Sequence, residues 1–268
     1  MISKSSGPGV PDDDSRVLGL TGSPNFRDAG GYTCQDGGFL RRGCLFRSGH
    51  LSYLTPGDRQ RLESLELELV VDLRRDDERR HEPSKLPSRA RLIGATITPG
   101  SQASAIYADS TRLGGAVAMF EFMREINREF VRSQSDAFRG VFAELLQDSA
   151  QRVLFHCSAG KDRTGFAVAM LQLALGVAMA DVEADYLLSQ RYFVPQDHLA
   201  RVREKYKVYH LSDEDLMPLL GTELAYLHAA LGEIDAGWDS RRAYLEEELG
   251  LGPAERQELR RRFVDESP

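Results

Sequence analysis

The segment Val153 to Gly165, VLFHCSAGKDRTG, constrains this chain more than any other. Arg152 to His156 reads as a short strand, Ser158 to Gly160 as a loop with little side-chain bulk, and Phe166 to Ala180 as a buried helix. A strand that runs through a small loop into an apolar helix is the repeating unit of α/β proteins. The apolar stretch contains Gln172 and falls short of the roughly 20 residues that span a bilayer, so no transmembrane segment is expected.

Cys157 and Arg163 stand six positions apart in this loop, the pattern C-x5-R. A loop of that length can curl so that successive backbone N–H groups point inward and make an anion nest. The following helix adds its positive N-terminal end. Arg163 can fold back and hold two oxygens of a phosphate group bidentately. Gly160 permits a backbone angle closed to other residues. Such surroundings favour a thiolate at Cys157. The implied chemistry is in-line attack by Cys157 on a phosphorus whose equatorial oxygens sit in the nest, followed by hydrolysis of a phosphocysteine. The backbone of Ser158, Ala159, Gly160 and Lys161 forms the cradle. Thr164 can donate to the leaving thiolate, and His156 reads as a buried residue bonded to the loop. Three aspartates are candidates for the acid that protonates the leaving oxygen: Asp162 inside the loop, Asp72 at the end of a strand, and Asp109 on a loop. Asp72 also has a structural reading, paired with Arg74.

Elsewhere, residues 1–15 read as a flexible tail without the apolar core of a signal peptide. Residues 16–268 read as one domain. Gly37-Gly38 marks a hairpin. Thr55-Pro56 opens a helix with Thr55 as N-cap. Leu67 to Leu73 and Arg91 to Thr98 are strand candidates, and 100–115 a mobile loop. Residues 116–148 carry apolar side chains at helical spacing, and the pattern from Asp181 onward is helical to the end. Arg74 to Glu82 (RRDDERRHE) reads as a solvated helix face. Strands alternating with helices predict an α/β fold with a central, mostly parallel sheet flanked by helices. The net charge of −7, from 34 basic and 41 acidic residues, gives no basic field for nucleic acid. Three cysteines leave at least one thiol free, so no disulfide framework is expected. The localisation predicted is cytoplasmic, or secreted without a cleaved signal.

HCSAGKDRTG resembles the signature loop of the protein-tyrosine phosphatase superfamily, and most of all that of the bacterial tyrosine/lipid phosphatases. NFRDAGGY (25–32), RSGHLSYLT (47–55), VVDLR (70–74), DYLLSQ (185–190) and YLEEELGLGPAERQELRRRF (244–263) resemble further motifs of that family, in the same order. The resemblance implies the cysteine-phosphatase fold, no metal or other cofactor, and helices after residue 180 that cover the active site. It implies a phosphoprotein substrate, with phosphotyrosine first and phosphoserine or phosphothreonine beside it. It also favours Asp162 over Asp72 as the acid, since the WPD sequence that supplies a mobile acid in many tyrosine phosphatases is absent. Lys161 resembles a second cation of loops that accept polyanionic lipid headgroups, which makes a phosphoinositide the alternative substrate.

Overall fold

The structure is a computed structural model that describes residues 14–98, 115–147 and 149–266. Most of the expected tail and nearly all of the expected loop at 100–115, with Asp109, lie outside the described residues.

A five-stranded sheet is built from β1 (Arg27–Asp28), β3 (Leu45–Ser48), β4 (Leu69–Asp72), β5 (Arg91–Gly94) and β6 (Val153–His156), in the order β1-β3-β6-β4-β5. Every pairing is parallel except that of β1 with β3. The sheet is therefore mostly parallel, as predicted. Both faces of its three central strands β3, β6 and β4 are buried. Leu69, Val71, Val153 and Phe155 point into one hydrophobic cluster, while Phe46, Val70 and Leu154 point into another. That two-sided burial is why these strands read as continuous apolar runs rather than alternating ones.

Helix α1 (Pro56–Glu63) begins as expected, with Thr55 and Asp58 forming a reciprocal capping box. Helix α2 (Asp76–His81) follows β4. The helical stretch predicted at 116–148 is two helices, α3 (Gly115–Arg132) and α4 (Ser135–Gln147). At the break, the hydroxyls of Ser133 and Ser135 donate to the carbonyls of Glu129 and Val131, at 3.0 and 2.7 Å. Such back-bonding competes with the helix ladder. Helix α5 (Asp162–Ala174) is almost wholly buried. Phe166 on it meets Phe138 of α4 and Phe130 of α3 at ring distances of 4.9 and 5.7 Å.

Beyond it come α6 (Met179–Leu187), α7 (Ser189–Tyr192), α8 (Leu199–Tyr206), α9 (Asp213–Leu220), α10 (Leu224–Gly237), α11 (Arg241–Glu247) and α12 (Pro253–Phe263). The turn at Gly37-Gly38 forms, bridged by Thr33 and Phe39. The strand after it, β2 (Phe39–Leu40), pairs with a strand that no local pattern announced, β7 (Val264–Asp265) at the other end of the chain. No helix among the described residues is long and apolar enough to cross a membrane.

The register places the site. Ser48 and Asp72 each stand opposite His156, so β3, β6 and β4 end at one level. The segments that leave these three strands therefore emerge side by side, at the carboxyl edge where α/β proteins gather their ligands. Phe138 is fully buried among Phe130 and Phe166. Its replacement by Ala is expected to cost about 3–5 kcal/mol, read as a lowered urea midpoint at unchanged slope.

Candidate active site

The segment leaving β6 is the loop Cys157–Lys161, which enters α5 at Asp162. Gly160 has a φ of +72°, and a Cβ there would meet the backbone of Ser48 at 2.4 Å, so geometry and space both demand glycine. The Gly160 N–H donates to Cys157 Sγ at 3.3 Å. The thiol is thus tucked inside the loop's own curve.

The loop's carbonyls are held from outside. Ser158 O accepts from the His50 N–H at 3.0 Å. Ala159 O accepts from Asn25 Nδ2 at 3.2 Å, and Gly160 O accepts from Asn25 Nδ2 and Arg47 Nη2, both at 2.9 Å. Lys161 O accepts from the Gly165 N–H within the helix. With these acceptors turned outward, the peptide N–H groups are left to the inner side, which is what an anion nest requires.

The donors are themselves anchored. Arg47, at the centre of β3, places Nη1 2.6 Å from Asp185 Oδ2 on α6. Arg27 of β1 donates to the Asp185 carbonyl at 2.8 Å and to the Asn25 side chain. The Tyr32 hydroxyl donates to Asp185 Oδ1 at 3.3 Å. Burial works against the Arg27 charge, Arg47 adds to that, and Asp185 opposes both. Burial likewise tends to raise the Asp185 carboxyl, but Arg27 and Arg47 hold it below the usual carboxylate range. The motifs at 25–32, 47–55 and 185–190 thus converge behind one loop.

Arg163 donates through Nη1 to Glu78 Oε2 at 2.8 Å and through Nη2 to Ser158 Oγ at 3.3 Å. The Ser158 hydroxyl donates to Glu78 Oε1 at 2.6 Å, and Lys205 of α8 reaches the same oxygen at 2.8 Å. Burial alone would raise the Glu78 carboxyl, but the charges and hydrogen bonds of Arg163 and Lys205 hold it far below the usual range. This corrects the reading of 74–82 as a solvated face. α2 does form there, yet Glu78 is only 4% exposed and orients the loop arginine. The alternation of charges along 74–82 gave no signal of it.

Asp72 and Asp162 separate cleanly. Asp72 is buried, with Arg74 Nε and Nη2 donating to its two oxygens at 2.9 and 2.7 Å and His156 Nε2 at 3.3 Å. Burial alone would raise this carboxyl, but His156 and Arg74 hold it far below the ordinary carboxylate range. Asp72 is a carboxylate that braces the end of β4 and the start of the loop, the structural reading that its neighbour Arg74 had left open. Asp162 instead lines the pocket around Cys157, and its Oδ1 is buried without a hydrogen-bond partner among the described residues. Thr164 Oγ1 is likewise buried and unpartnered. His156 is fully buried and bonds within the scaffold, its Nδ1 lying 3.4 Å from Cys157 O.

Lys161 departs from expectation. Its ammonium is not directed outward as a second cation at the mouth but is 2% exposed and donates to the carbonyls of Leu219 and Gly221, at 2.9 and 2.7 Å.

The pocket above Cys157 joins these polar groups to an apolar wall of Met123, Ile126 and Phe130 from α3 and Val202, Leu219 and Leu220 from α8 and α9. His50, Arg75, Arg201 and Lys205 complete its rim. Burial pushes the His50 imidazole down to about 3, with the charge of Arg201 adding to the effect, so the ring is neutral and accepts from Arg201 at 2.8 Å. Among the described residues no cluster of three or more His, Cys, Asp or Glu side chains is placed to hold a metal ion.

Asp185→Asn would leave two buried guanidiniums side by side without their counter-charge. It is expected to destabilise the chain by about 3–5 kcal/mol, seen as a fall in Tm, although Asp185 is not among the residues that line the pocket.

Residues 18–265 match the model of the tyrosine phosphatase family. A Cupriavidus necator protein named for the tyrosine-protein phosphatases is 36% identical over 233 residues, 86% of this chain and 83% of its own length. The triple specificity protein phosphatase PtpB of Mycobacterium tuberculosis is 31% identical over 266 residues, covering 85% of this chain and 92% of its own length. A tyrosine-protein phosphatase of Nostoc commune is 30% identical over 157 residues, 56% of this chain and 49% of that protein. A match of this extent, together with a cysteine seated in an anion nest at the carboxyl edge of a parallel sheet, makes this chain a cysteine-based phosphatase that belongs to the tyrosine phosphatase family.

Proposed function

We propose that this enzyme hydrolyses phosphotyrosine in proteins through a phosphocysteine intermediate, with Cys157 as nucleophile, Arg163 as phosphate ligand and Asp162 as general acid. The observation that carries the reading is the pairing of a nest around Cys157 with an apolar wall directly above it. The nest suits the phosphate dianion and the wall suits an aryl ring.

In the first step Cys157 Sγ attacks phosphorus and the P–O bond to the leaving phenol breaks. The nest N–H groups of Ser158 to Lys161 and the Arg163 guanidinium take up charge on the equatorial oxygens. The Asp162 carboxyl gives its proton to the departing oxygen. In the second step a water oxygen attacks phosphorus, the S–P bond breaks, and the water's proton passes to the Asp162 carboxylate. Inorganic phosphate and the Cys157 thiolate result. The unpaired hydroxyl of Thr164 is suited to donate to that thiolate. Glu78 holds Arg163 at the correct angle before substrate arrives, so little ordering is left for the reaction to do. No metal or other cofactor takes part in this scheme.

A second reading, a phosphoinositide substrate, is favoured by the cationic rim of Arg75, Arg201 and Lys205. The relative from M. tuberculosis is named for triple specificity, which is compatible with a site that accepts more than one ester. Serine and threonine phosphoesters belong to the same question.

Cys157→Ser is expected to abolish turnover while the chain still binds inorganic phosphate, as seen by calorimetry; retained activity would end the mechanism. Asp162→Asn should lower kcat about 10²–10⁴-fold on a phosphotyrosine peptide. The loss should shrink on an aryl ester with an acidic phenol, whose departure needs no proton. Equal losses on both would remove Asp162 from the role of acid. Initial rates on phosphotyrosine peptide, phosphothreonine peptide and phosphoinositide vesicles, without added metal, decide the substrate. The phosphotyrosine peptide is expected to be turned over fastest, and a faster lipid rate would replace the first reading with the second.

A further inference from the structure

Lys161 lies next to the proposed acid, and its side chain runs to the end of α9. Its ammonium has three N–H groups. Two go to the carbonyls of Leu219 and Gly221, and the third side faces Asp162 Oδ2 at 3.5 Å. The stem passes the Phe193 ring, with Nζ 5.6 Å from its centre.

The two carbonyls belong to the end of α9, where the helix ladder leaves its last acceptors without partners. Three neighbouring acceptors are met from elsewhere. Met217 O takes the Gly221 N–H, Pro218 O takes the Tyr226 hydroxyl at 2.9 Å, and Thr222 O takes Gln190 Nε2 at 2.7 Å. Leu219 O and Gly221 O are both met by one lysine. A cation is also the favoured charge at a helix C-terminus. α8 is tied to the body by side-chain ion pairs, Lys205 to Glu78 and Arg201 to Glu82. The Lys161 tie differs in kind, because it joins the catalytic loop itself to the backbone of a helix that roofs the pocket.

We propose that Lys161 is a positioning residue that latches α9 onto the catalytic loop, so that displacing α9 from above Cys157 requires withdrawing this ammonium. The latch is independent of which phosphate ester the enzyme hydrolyses.

Lys161→Met tests it. Amide hydrogen exchange is followed along the chain, together with alkylation of Cys157 by neutral iodoacetamide. The latch predicts exchange in α9 at least about tenfold faster than in the parent, with α4 unchanged. It also predicts faster alkylation, whereas removal of a nearby cation by itself favours the thiol and slows alkylation. Parent-like exchange in α9, or slowed alkylation, overturns the proposal. If Lys161→Met does not fold, Lys161→Gln, which also lacks the charge and falls short of both carbonyls, takes its place with the same two outcomes.

Discussion

Everything in this site depends on which way the peptide planes of one short loop are turned. Ser158, Ala159 and Gly160 point their carbonyls away from Cys157 because His50, Asn25 and Arg47 accept the cost of sitting behind them as donors. Were those carbonyls free to rotate inward, their dipoles would repel a phosphate dianion instead of leaving N–H groups to receive it. The donors are buried, and two are guanidiniums or bonded to one, so they need a counter-charge. Asp185 supplies it, from a helix more than twenty residues beyond the loop in sequence. Remote pieces of the chain are thereby committed to one arrangement, since a buried charge that loses its partner is far more costly than a lost surface contact.

A second set of charges faces the pocket. The chain carries a net charge of −7, yet the rim of its pocket is cationic. Local geometry reconciles the two. Glu78 sits beneath Arg163 and Lys205 and accepts from Ser158, so a single buried carboxylate orders three groups around the nest. Asp72 plays the equivalent part under the loop's entrance, with Arg74 and His156. Neither carboxylate is free to deliver a proton, because each is held ionised by its neighbours. Asp162 differs in having a buried oxygen with no such partner among the described residues.

The parts legible beforehand share a property. The strand at 153–156, the glycine at 160, the six-residue spacing from Cys157 to Arg163 and the capped helix after Thr55 each express a local rule, readable within a window of a few residues. The strand at 69–72 was equally plain, since a strand buried on both faces is apolar along nearly its whole length. The misses are of another sort. Glu78 looks like any carboxylate in a charged run, and Lys161 like any exposed cation. What sets them apart is the identity of partners in α5, α8 and α9, many residues away. β7 pairs with β2 across almost the whole chain, and its two residues carry no pattern of their own.

By itself, the sequence determined the C-x5-R loop between a strand and a helix, the α/β class and, through five motifs in order, the family. It did so because a nest, a helix N-terminus and a buried strand are built from neighbouring residues whose types are dictated by backbone geometry. Only the tertiary structure enclosed Asp72 between Arg74 and His156 while leaving one Asp162 oxygen in the pocket without a partner among the described residues, turned Glu78 into the partner of Arg163, and carried the Lys161 ammonium to the end of α9. Those outcomes turn on which charges are brought within hydrogen-bond reach once water is excluded, and no spacing along the chain encodes that distance.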